Sequence, residues 1–430
     1  PANSAVGGGF EVANSIMLQD SRLFKTPSSS GSQRKFTFSA WIKKSDFSSG
    51  VIFSSGEADG NPNFALYFAS NDKLNLYSSQ GMEYRTNAVF RDSNAWMHIV
   101  ISVNTAISNA SNRQLIWING VQQTSFGTSN SIAQNTDLSI NTSAYRMAVG
   151  TGVDNQDYFG GYVAEVVFLD NQALGHLSFG EFDSDSGIWK PIAITGSAAT
   201  PGTNGFYLNF QDSSNLGNDE FGGTDLSVSD IVATDQKTDT CTNNFCTFNL
   251  LDNINASTFA EGSLKITTVS GNYSPNTSTF RVIEGKWYWE IKLVQDTNTG
   301  ANEVDMIGFS NNSVQATSTN PSSIGINYRG NGKIWNYGGT AEATGYATFS
   351  TGDIIMVAAD LTNATTGKLY FGVNGTWGNS GNPETGANSF DFTKGTEPWG
   401  PSVTCYSSGS SAIFEANFGN APYAISSGNA

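Results

Sequence analysis

The sequence contains little of what most metal sites and hydrolytic active sites require. It has only two histidines, His98 and His176, and three cysteines among 430 residues. So few of these side chains nearly exclude a histidine-based metal cluster or a Ser-His-Asp triad. His98 alternates with Trp96 and Val100 on one face of a strand-like run, and we expect it to be a structural residue.

Charged residues, and basic ones in particular, are also scarce. Only 13% of the residues are charged, and 37 acidic residues against 21 basic ones give a net charge of -16. Without a cluster of Lys and Arg, such a surface repels a phosphate backbone, so we expect no nucleic-acid partner. No window approaches the roughly 18 apolar residues of a membrane-spanning helix, so we expect no membrane insertion.

The N-terminus and the cysteines do not follow the pattern of a secreted disulfide scaffold. The stretch PANSAVGGGF lacks the basic and hydrophobic regions of a signal peptide. Because a leading proline is what removal of an initiator Met leaves, we interpret the chain as roughly full length. Cys241, Cys246 and Cys405 are an odd number. Cys241 and Cys246 are close enough in sequence to pair in a turn, and reduced thiols are the preferred interpretation.

What the sequence does contain is a long series of short alternating strands. In FTFSAWI (36–42), Phe, Ala and Ile alternate with Thr, Ser and Trp, as in a strand with two different faces. The Asn-Gly pairs at 119–120 and 374–375 suit type I′ hairpin turns. The hydrophobic content of 38% is sufficient for packed cores. We predict an all-β fold with two β-sandwich, jelly-roll-like domains in tandem.

Similar runs recur along both halves of the chain. They are VIFSS (51–55), FALYFAS (64–70), KLNLYSS (73–79), AWMHIVISV (95–103), RQLIWING (113–120), YVAEVVFLD (162–170), FYLNFQD (206–212), GSLKITTV (262–269), KWYWEIKLV (286–294), VDMIGFS (304–310), IGINY (324–328), KIWNYG (333–338), DIIMVAADL (353–361), KLYFGVNG (368–375) and AIFEANFG (412–419). We predict a flexible N-terminal arm at 1–10, sandwiches at 11–210 and 246–430, and a polar linker at 211–245.

The first half carries an ordered series of motifs. FTFSAWIKK, FSSG, FRDSNAWMHIVISV, RQLIWINGVQ and YFGGYVAEVVFLDNQAL follow one another over about residues 10–195. This series resembles the concanavalin A-like jelly roll in its laminin-G-like form. The resemblance implies a two-sheet sandwich with a concave face. It also implies binding of sugars or proteins, often through Ca²⁺ at the sheet rim.

Two loops of this half offer oxygen ligands for such an ion. Ca²⁺ requires several clustered oxygens. The candidates, in SGEADGN and GVDNQDYF, are Glu57, Asp59, Asp154, Asn155 and Asp157. The competing interpretation is that they are solvated turn residues, because the motifs of the resemblance lie in the strands. Calcium is the one cofactor that we consider for this chain.

The second half carries a different series. GKWYWEIKL, MIGFSN, GKIWNYGG, FSTGDIIMVAADLTNATTGKLYFGVNGTWG, EPWGPSV and FEANFG run in order over about residues 246–425. This series resembles the SPRY domain. The resemblance implies a bent β-sandwich that binds partners through its loops and is not normally an enzyme.

Aromatic residues of these loops are candidates for ligand binding, since Tyr and Trp give a large contact area at a low entropy cost. Together with one arginine they are Tyr328, Arg329, Trp335, Tyr337, Trp377 and Trp399. Each of them could instead anchor a loop in the core. In GKWYWEI (285–291), alternation places Trp287, Trp289 and Ile291 on one face and Tyr288 on the other. We predict that the Trp-Trp-Ile face is the inner wall of the sandwich.

The segment that connects the two halves gives a more specific resemblance. The segment 189–252, with a W-K-P strand and a T-N-N-F-x-T-x-N-x-L-D sequence, resembles virion proteins of tailed bacteriophages, particularly marine ones. The resemblance implies a fibre, spike or head-decoration protein at the virion surface. Its partners would be other virion proteins and host-surface glycans or proteins, and symmetry of the particle implies a homo-oligomer.

Two other functions remain as alternatives. The first is a purely structural decoration or cement protein without a host ligand. The second is a glycan depolymerase, because some concanavalin-like folds carry an E-x-D-x-x-E strand whose end acids are a catalytic pair. Residues 303–308 (EVDMIG) approach this motif, but Gly308 replaces the last acid. We therefore expect a non-enzymatic protein.

Overall fold

A computed structural model describes residues 9–253, 255–269, 273–297, 305–311, 325–336, 340–405 and 410–421. The described chain is built almost entirely of strands in antiparallel sheets, which confirms the all-β prediction. It divides into two compact units, Pro1–Asn244 and Phe245–Ala430. Among the described residues, no helix is long and apolar enough to cross a membrane. Most of the predicted N-terminal arm lies outside the described residues.

The first unit consists of short strands joined by turns and 3-10 helices. Its strands are β1 (Ser15–Leu18), β2 (Arg22–Lys25), β3 (Lys35–Lys44), β4 (Gly50–Gly56), β5 (Phe64–Phe68), β6 (Leu74–Ser78), β7 (Met82–Thr86), β8 (Met97–Asn104), β9 (Gln114–Ile118), β10 (Val121–Gln122), β11 (Phe126–Asn130), β12 (Arg146–Val149), β13 (Gly161–Asp170), β14 (Gly180–Phe182), β15 (Trp189–Pro191), β16 (Phe206–Leu208), β17 (Ser227–Ser229) and β18 (Gln236–Lys237). Its 3-10 helices are Ala110–Asn112, His176–Ser178, Gly196–Ala199 and Ala233–Asp235.

Two eight-stranded sheets form the sandwich of this unit. One has the order β10-β9-β8-β3-β13-β1-β18, with β16 also pairing with β13, and the other has the order β11-β7-β6-β5-β4-β12-β2-β17. Their inner faces meet in one core, where the rings of Phe38 and Phe53 stack with centroids 4.5 Å apart. Each buried Phe contributes about 2 kcal/mol, so Phe36 and Phe38 of β3 both stabilise this core.

The outer face of β3 is also buried, which alternation alone does not predict. Trp41 belongs to a second apolar cluster with Trp96, Tyr162 and Trp189. His98 lies beneath it and accepts a hydrogen bond from Trp189 Nε1 at 3.0 Å, while its Nε2 lies 2.8 Å from the hydroxyl of Ser39. Burial lowers the pKa of His98 to about 3, so the ring is neutral. The structural role expected for His98 is confirmed.

The polar segment 211–245 differs from the predicted linker. Its strands β17 and β18 pair with β2 and β1, so the segment extends both sheets. Within it, the Asp239 carboxylate is buried 2.8 Å from the Lys43 ammonium. The polar residues of the segment find partners inside the unit, and composition alone cannot reveal such partners.

The second unit has the same strand-and-turn construction. Its strands are β19 (Phe248–Asn253), β20 (Thr258–Ala260), β21 (Lys265–Thr267), β22 (Asn276–Ser278), β23 (Lys286–Gln295), β24 (Met306–Ser310), β25 (Gly325–Arg329), β26 (Ile334–Asn336), β27 (Thr340–Ala343), β28 (Ile354–Asp360), β29 (Thr366–Val373), β30 (Thr376–Trp377), β31 (Phe390–Thr393), β32 (Gly400–Thr404) and β33 (Ile413–Asn417). A 3-10 helix, Gly378–Ser380, follows β30.

Its two sheets have the orders β19-β22-β32-β24-β25-β26-β27 and β20-β21-β33-β23-β28-β29-β30, with β31 pairing with β29. Trp289 of β23 packs on Phe309 of β24, with ring centroids 5.2 Å apart, and so joins the sheets. Trp289 and Ile291 are buried, as predicted, but Trp287 is 37% exposed. The reason is local, because its Nε1 donates to the backbone oxygen of Glu284 at 2.7 Å and the indole lies against that turn.

Both predicted Asn-Gly hairpins are present. Asn119 and Gly120 have φ values of 48° and 74° between β9 and β10, and Asn374 and Gly375 have 49° and 85° between β29 and β30. Two consecutive positive φ values define a type I′ turn. The second hairpin brings β30 back alongside β29, which places Trp377 on the sheet surface.

Candidate functional site

A surface groove of about 290 Å³ lies on the β23-β28-β29-β30 sheet of the second unit. Residues 286–288 and 358–360, Tyr370, Trp377 and residues 383–384 line it. We call it the aromatic groove. Its volume is close to the roughly 300 Å³ at which small-ligand pockets begin.

Strand register brings the aromatic residues together. Tyr288 lies opposite Ala358, and Ala358 lies opposite Tyr370, so the three form a row across β23, β28 and β29. Residues in such a row project from the same face of the sheet. Trp377 pairs with Gly372 on the neighbouring strand. The small residue Ala358 therefore forms a low floor between aromatic walls.

Three of the four aromatic rings that line the groove meet at an angle. Trp377 lies 6.2 Å from Tyr288 and 6.4 Å from Tyr370, with 74° between the ring planes in each case. Such edge-to-face contacts are favourable for aromatic pairs. The rings therefore form walls that converge on the groove and do not collapse into one closed stack.

Tyr288 is fixed by a buried carboxylate behind it. Although the residue is 41% exposed, its hydroxyl donates to Glu290 Oε1 at 2.6 Å. Glu290 is fully buried, and its Oε2 accepts from the side-chain amide of Asn417 at 3.1 Å. This network holds the ring in place before any ligand arrives, which lowers the entropy cost of binding.

Tyr370 supplies a polar group that has no partner within the described chain. The residue is 3% exposed, and its hydroxyl oxygen forms no hydrogen bond there. A buried hydroxyl without a partner costs about 1–3 kcal/mol. Tyr370 also lines the aromatic groove with its ring.

The rim of the groove is charged. Lys286 Nζ lies 3.5 Å from Asp360 Oδ2. Partial burial raises the pKa of Asp360, but hydrogen bonds from Thr362 and the Lys286 ammonium outweigh it, so the pKa lies below its ordinary value. Asp360 is therefore ionised at neutral pH. With Glu384 also at the rim, the groove offers two acceptor carboxylates beside one ammonium donor.

The structure places the predicted loop aromatics in different environments. Tyr328 and Trp399 are buried in the core, so the prediction that they form a surface is wrong for both. Trp399 Nε1 donates to the backbone oxygen of Lys394 at 2.7 Å, which explains how a polar indole is accommodated there. Of the five candidates that the structure describes, only Trp377 lines the aromatic groove. Tyr337 lies outside the described residues.

Arg329 and Trp335 form a separate pair. The Arg329 guanidinium carbon lies 3.8 Å from the centre of the Trp335 ring, a cation–π contact. Burial lowers the pKa of Arg329 from its ordinary value. Both residues are half-buried, so the contact anchors the β25–β26 hairpin more than it presents a surface.

The calcium candidates come together only in part. Asn155 Nδ2 donates to Asp59 Oδ1 at 2.8 Å, and Arg146 lies 3.5 Å from the same oxygen. Asp157 Oδ1 instead accepts from the hydroxyl of Ser49 at 3.0 Å. A nitrogen donor and a cation beside Asp59 do not fit the oxygen cage that Ca²⁺ requires.

The other two candidates do not complete a set. Asp154 Oδ1 accepts from the backbone of Gln156 at 3.3 Å, and Glu57 is exposed in its turn. No group of three or more His, Cys, Asp and Glu side chains within the described ranges could hold a metal ion. Calcium therefore remains a sequence-based prediction that this loop geometry does not favour.

The depolymerase motif is only partly described. Glu303 and Val304 lie outside the described residues. Asp305 is buried, and its Oδ2 accepts from the backbone and hydroxyl of Thr297 at 3.0 and 3.2 Å. That carboxylate caps a turn, and Gly308 continues β24 without an acid. No disulfide links the cysteines of the described chain.

One family model matches part of the first unit. Residues 19–175 match the family model described as the concanavalin A-like lectin/glucanases superfamily. This match supports the concanavalin A-like description of the first unit. A comparison with curated proteins found no match.

Solved structures with similarity include the SPRY domain of human HERC1, which is 21% identical and aligns over 40% of this chain and 98% of that domain with a TM-score of 0.32. Domains LG4-5 of the mouse laminin alpha1 chain are 11% identical over 99% of this chain and 96% of that one, with a TM-score of 0.31. The SAP-like pentraxin of Limulus polyphemus is 14% identical over 39% and 80%, with a TM-score of 0.28. Similarity at this level does not indicate a function.

Proposed function

We propose that this chain is a non-enzymatic binding protein whose aromatic groove holds a carbohydrate. The observation that carries the proposal is the preorganised row of Tyr288, Ala358 and Tyr370 beside Trp377. Aromatic walls at an angle cover the apolar faces of a sugar ring, and polar groups at the rim hydrogen-bond with its hydroxyls. The rim of the groove supplies both an ammonium donor and carboxylate acceptors.

The charged groups at the rim of the groove indicate which sugars can bind. Asp360 and Glu384 accept hydrogen bonds from sugar hydroxyls, and the net charge of -16 repels strongly anionic polysaccharides. Neutral hexoses, or sugars with a free amino group, are therefore the expected ligands. A groove of about 290 Å³ suits a single terminal residue of a longer glycan.

We further propose that the chain is displayed on the surface of a bacteriophage particle, as a fibre, spike or head decoration that contacts host glycans. The motif series of the two halves and the phage-like joint support this placement. Other virion proteins would anchor the chain, and a homo-oligomer would multiply the weak affinity of one groove. The chain should be found by mass spectrometry in purified particles of the phage that encodes it, and its absence there would contradict this placement.

A glycan array tests the binding function. The intact wild-type chain should give a defined set of positive glycans, rich in neutral or amino sugars. Trp377→Ala, which removes one wall of the groove, should reduce these signals at least about tenfold. Tyr77→Ala is the control, because Tyr77 is an exposed aromatic residue of the first unit. The bound glycan should be recovered with unchanged mass, and its cleavage would instead favour the depolymerase.

A flat array would favour the second candidate, a structural decoration or cement protein. The short, compact units without a coiled coil or collagen-like repeat in the sequence agree with that role. Flat binding to both arrays and host envelopes, with the chain present in particles, would separate the structural role from adhesion.

A further inference from the structure

A buried lysine in the first unit contacts both a carboxylate and a side-chain amide. Lys43 Nζ lies 2.8 Å from Asp239 Oδ2 and 2.7 Å from Asn244 Oδ1. The side chains of Lys43 and Asp239 are 0% and 1% exposed. We propose that Lys43 and Asn244 form an intramolecular isopeptide bond, with Asp239 as the group that moves the protons.

The step requires both reacting groups in their uncharged forms. Lys43 lies on β3, a central strand between β8 and β13, beneath an apolar cluster that includes Trp96 and Tyr162. Its Nζ is 5.7 Å from the centre of the Tyr162 ring. An ion pair in such a place carries a large desolvation cost. Transfer of one proton along the hydrogen bond to Asp239 gives a neutral amine, which is a nucleophile, and a neutral carboxylic acid.

The reacting groups are held in position from both sides. The Nδ2 of Asn244 donates to the backbone oxygen of Asn94 at 2.8 Å, which fixes the plane of the amide. Trp96 Nε1 donates to Asp239 Oδ1 at 2.8 Å, which orients the carboxylate. The amide carbon lies one C=O bond, about 1.2 Å, behind the oxygen that Lys43 contacts. Lys43 Nζ is thus near the roughly 3–3.5 Å separation from which attack proceeds.

The proposed step balances without an added reactant. The amine of Lys43 attacks the side-chain carbonyl carbon of Asn244 and forms the new C–N bond. The acid form of Asp239 gives its proton to Nδ2, the old C–N bond breaks, and ammonia leaves. Asp239 regains a proton from Nζ, so one secondary amide, one carboxylic acid and one ammonia result from the ammonium, the carboxylate and the primary amide.

The bond would tie the last residue of the first unit to its central strand. Lys43 and Asn244 are 201 residues apart in the sequence, so the crosslink would close a loop that contains nearly the whole unit. Closing so long a loop restricts the unfolded chain and stabilises the fold. If the chain is exposed on a particle surface, as proposed above, the crosslink would also transmit a pulling force from residue 244 to β3 without unfolding the strands between them.

The intact mass of the wild-type full chain, measured in denaturant, tests the proposal. We expect a mass about 17 Da below the sequence mass, the weight of one ammonia. Trypsin should release residues 36–44 covalently joined to residues 238–265. A full sequence mass, with the two peptides separate, would overturn the proposal.

Localisation of the mass loss is necessary, because cyclisation of Asn-Gly at 119–120, 204–205, 331–332 or 374–375 also releases ammonia. A loss mapped only to those pairs would contradict the crosslink. A loss of about 18 Da mapped to Lys43 and Asp239 would mean that water left and that the aspartate is the partner. Either result overturns the assignment of Asn244.

Three variants then assign the roles. Lys43→Arg, which keeps the charge but removes the nucleophile, and Asp239→Asn, which removes the proton carrier, should both have the full mass. Asn243→Ala is the matched control and should keep the loss of ammonia, because Asn243 faces the backbone of Thr238. If Asp239→Asn still forms the crosslink, Asp239 does not move the protons. Circular dichroism of each variant checks its fold, and the wild-type mass is independent of the variants.

Discussion

Tyr288 and Glu290 lie two residues apart on β23 and are joined by a hydrogen bond of 2.6 Å from the tyrosine hydroxyl to the buried carboxylate. The exposed wall of the aromatic groove is therefore held by a group that no ligand can reach. Asn417 of β33 donates to the other carboxylate oxygen, so three side chains of two neighbouring strands act together.

This relationship predicts a graded loss of stability. Glu290→Ala leaves the Tyr288 hydroxyl and the Asn417 amide without this acceptor, and we expect a loss of about 1–3 kcal/mol in the free energy of unfolding of the second unit. Tyr288→Phe removes only one hydrogen bond and should cost about 1 kcal/mol. Urea denaturation followed by tryptophan fluorescence measures both. Equal stability of the two variants would contradict the role of the Glu290 carboxylate as a shared acceptor.

A second buried carboxylate predicts a pH dependence. Glu165 lies on β13 at a bulge, with a φ of 49°. Burial raises its pKa to about 7, although a hydrogen bond from Tyr207 lowers it and the nearby Glu220 raises it further. In the unfolded chain the group titrates near 4.5. The folded chain therefore retains a proton that the unfolded chain has lost.

The sign of the effect follows from linkage. The contribution of Glu165 to stability is fully present below about pH 4.5 and is lost as the pH rises through about 7. The stability of Glu165→Gln relative to that of wild type should therefore be higher at pH 7.5 than at pH 5. Melting temperatures of both proteins at the two pH values measure the difference, in which other titrating groups cancel. A constant difference between them would show that Glu165 titrates normally.

Alanine substitutions at two turn glycines, Gly81 and Gly120, separate backbone strain from the packing of Gly120 against Trp189. A Cβ at Gly120 would lie 2.3 Å from the ring of Trp189, whereas a Cβ at Gly81 would meet nothing within 4 Å, and both residues have positive φ. Gly81→Ala should cost about 1–2 kcal/mol from backbone strain. Gly120→Ala should cost about 1–3 kcal/mol more, because the indole must move. Chemical denaturation of the two variants is the measurement, and equal losses would contradict the close contact with Trp189.

The sequence predicts strands well because alternation and turn residues are local signals. Both Asn-Gly hairpins and the inward face of β3 follow from such signals. The buried outer face of β3 and the strands of 211–245 do not, because they depend on partners far away in the sequence. Asp239, for example, is 196 residues from Lys43, and nothing in its neighbourhood indicates that it is buried.

Local sequence signals do not predict the aromatic groove either. Trp377 could be chosen because it follows a hairpin, but Tyr370 and Tyr288 belong to strands whose register decides that they meet across Ala358. Trp399 occurs in a loop-like sequence, EPWG, and still lies in the core because the indole finds a backbone acceptor. A small residue between aromatic ones on adjacent strands is the only signal that could have suggested the groove.

Carbohydrate binding at the aromatic groove is tested most directly by a calorimetric titration of the intact chain with the glycan that gives the strongest array signal. Ala358→Trp places a bulky ring on the floor of the groove, and Tyr77→Ala leaves the groove unchanged. If the aromatic groove binds carbohydrate, Ala358→Trp should weaken binding at least about tenfold, or 1.4 kcal/mol, while Tyr77→Ala binds like wild type and all three proteins melt at similar temperatures. Equal affinity of Ala358→Trp and wild type would contradict carbohydrate binding at the aromatic groove.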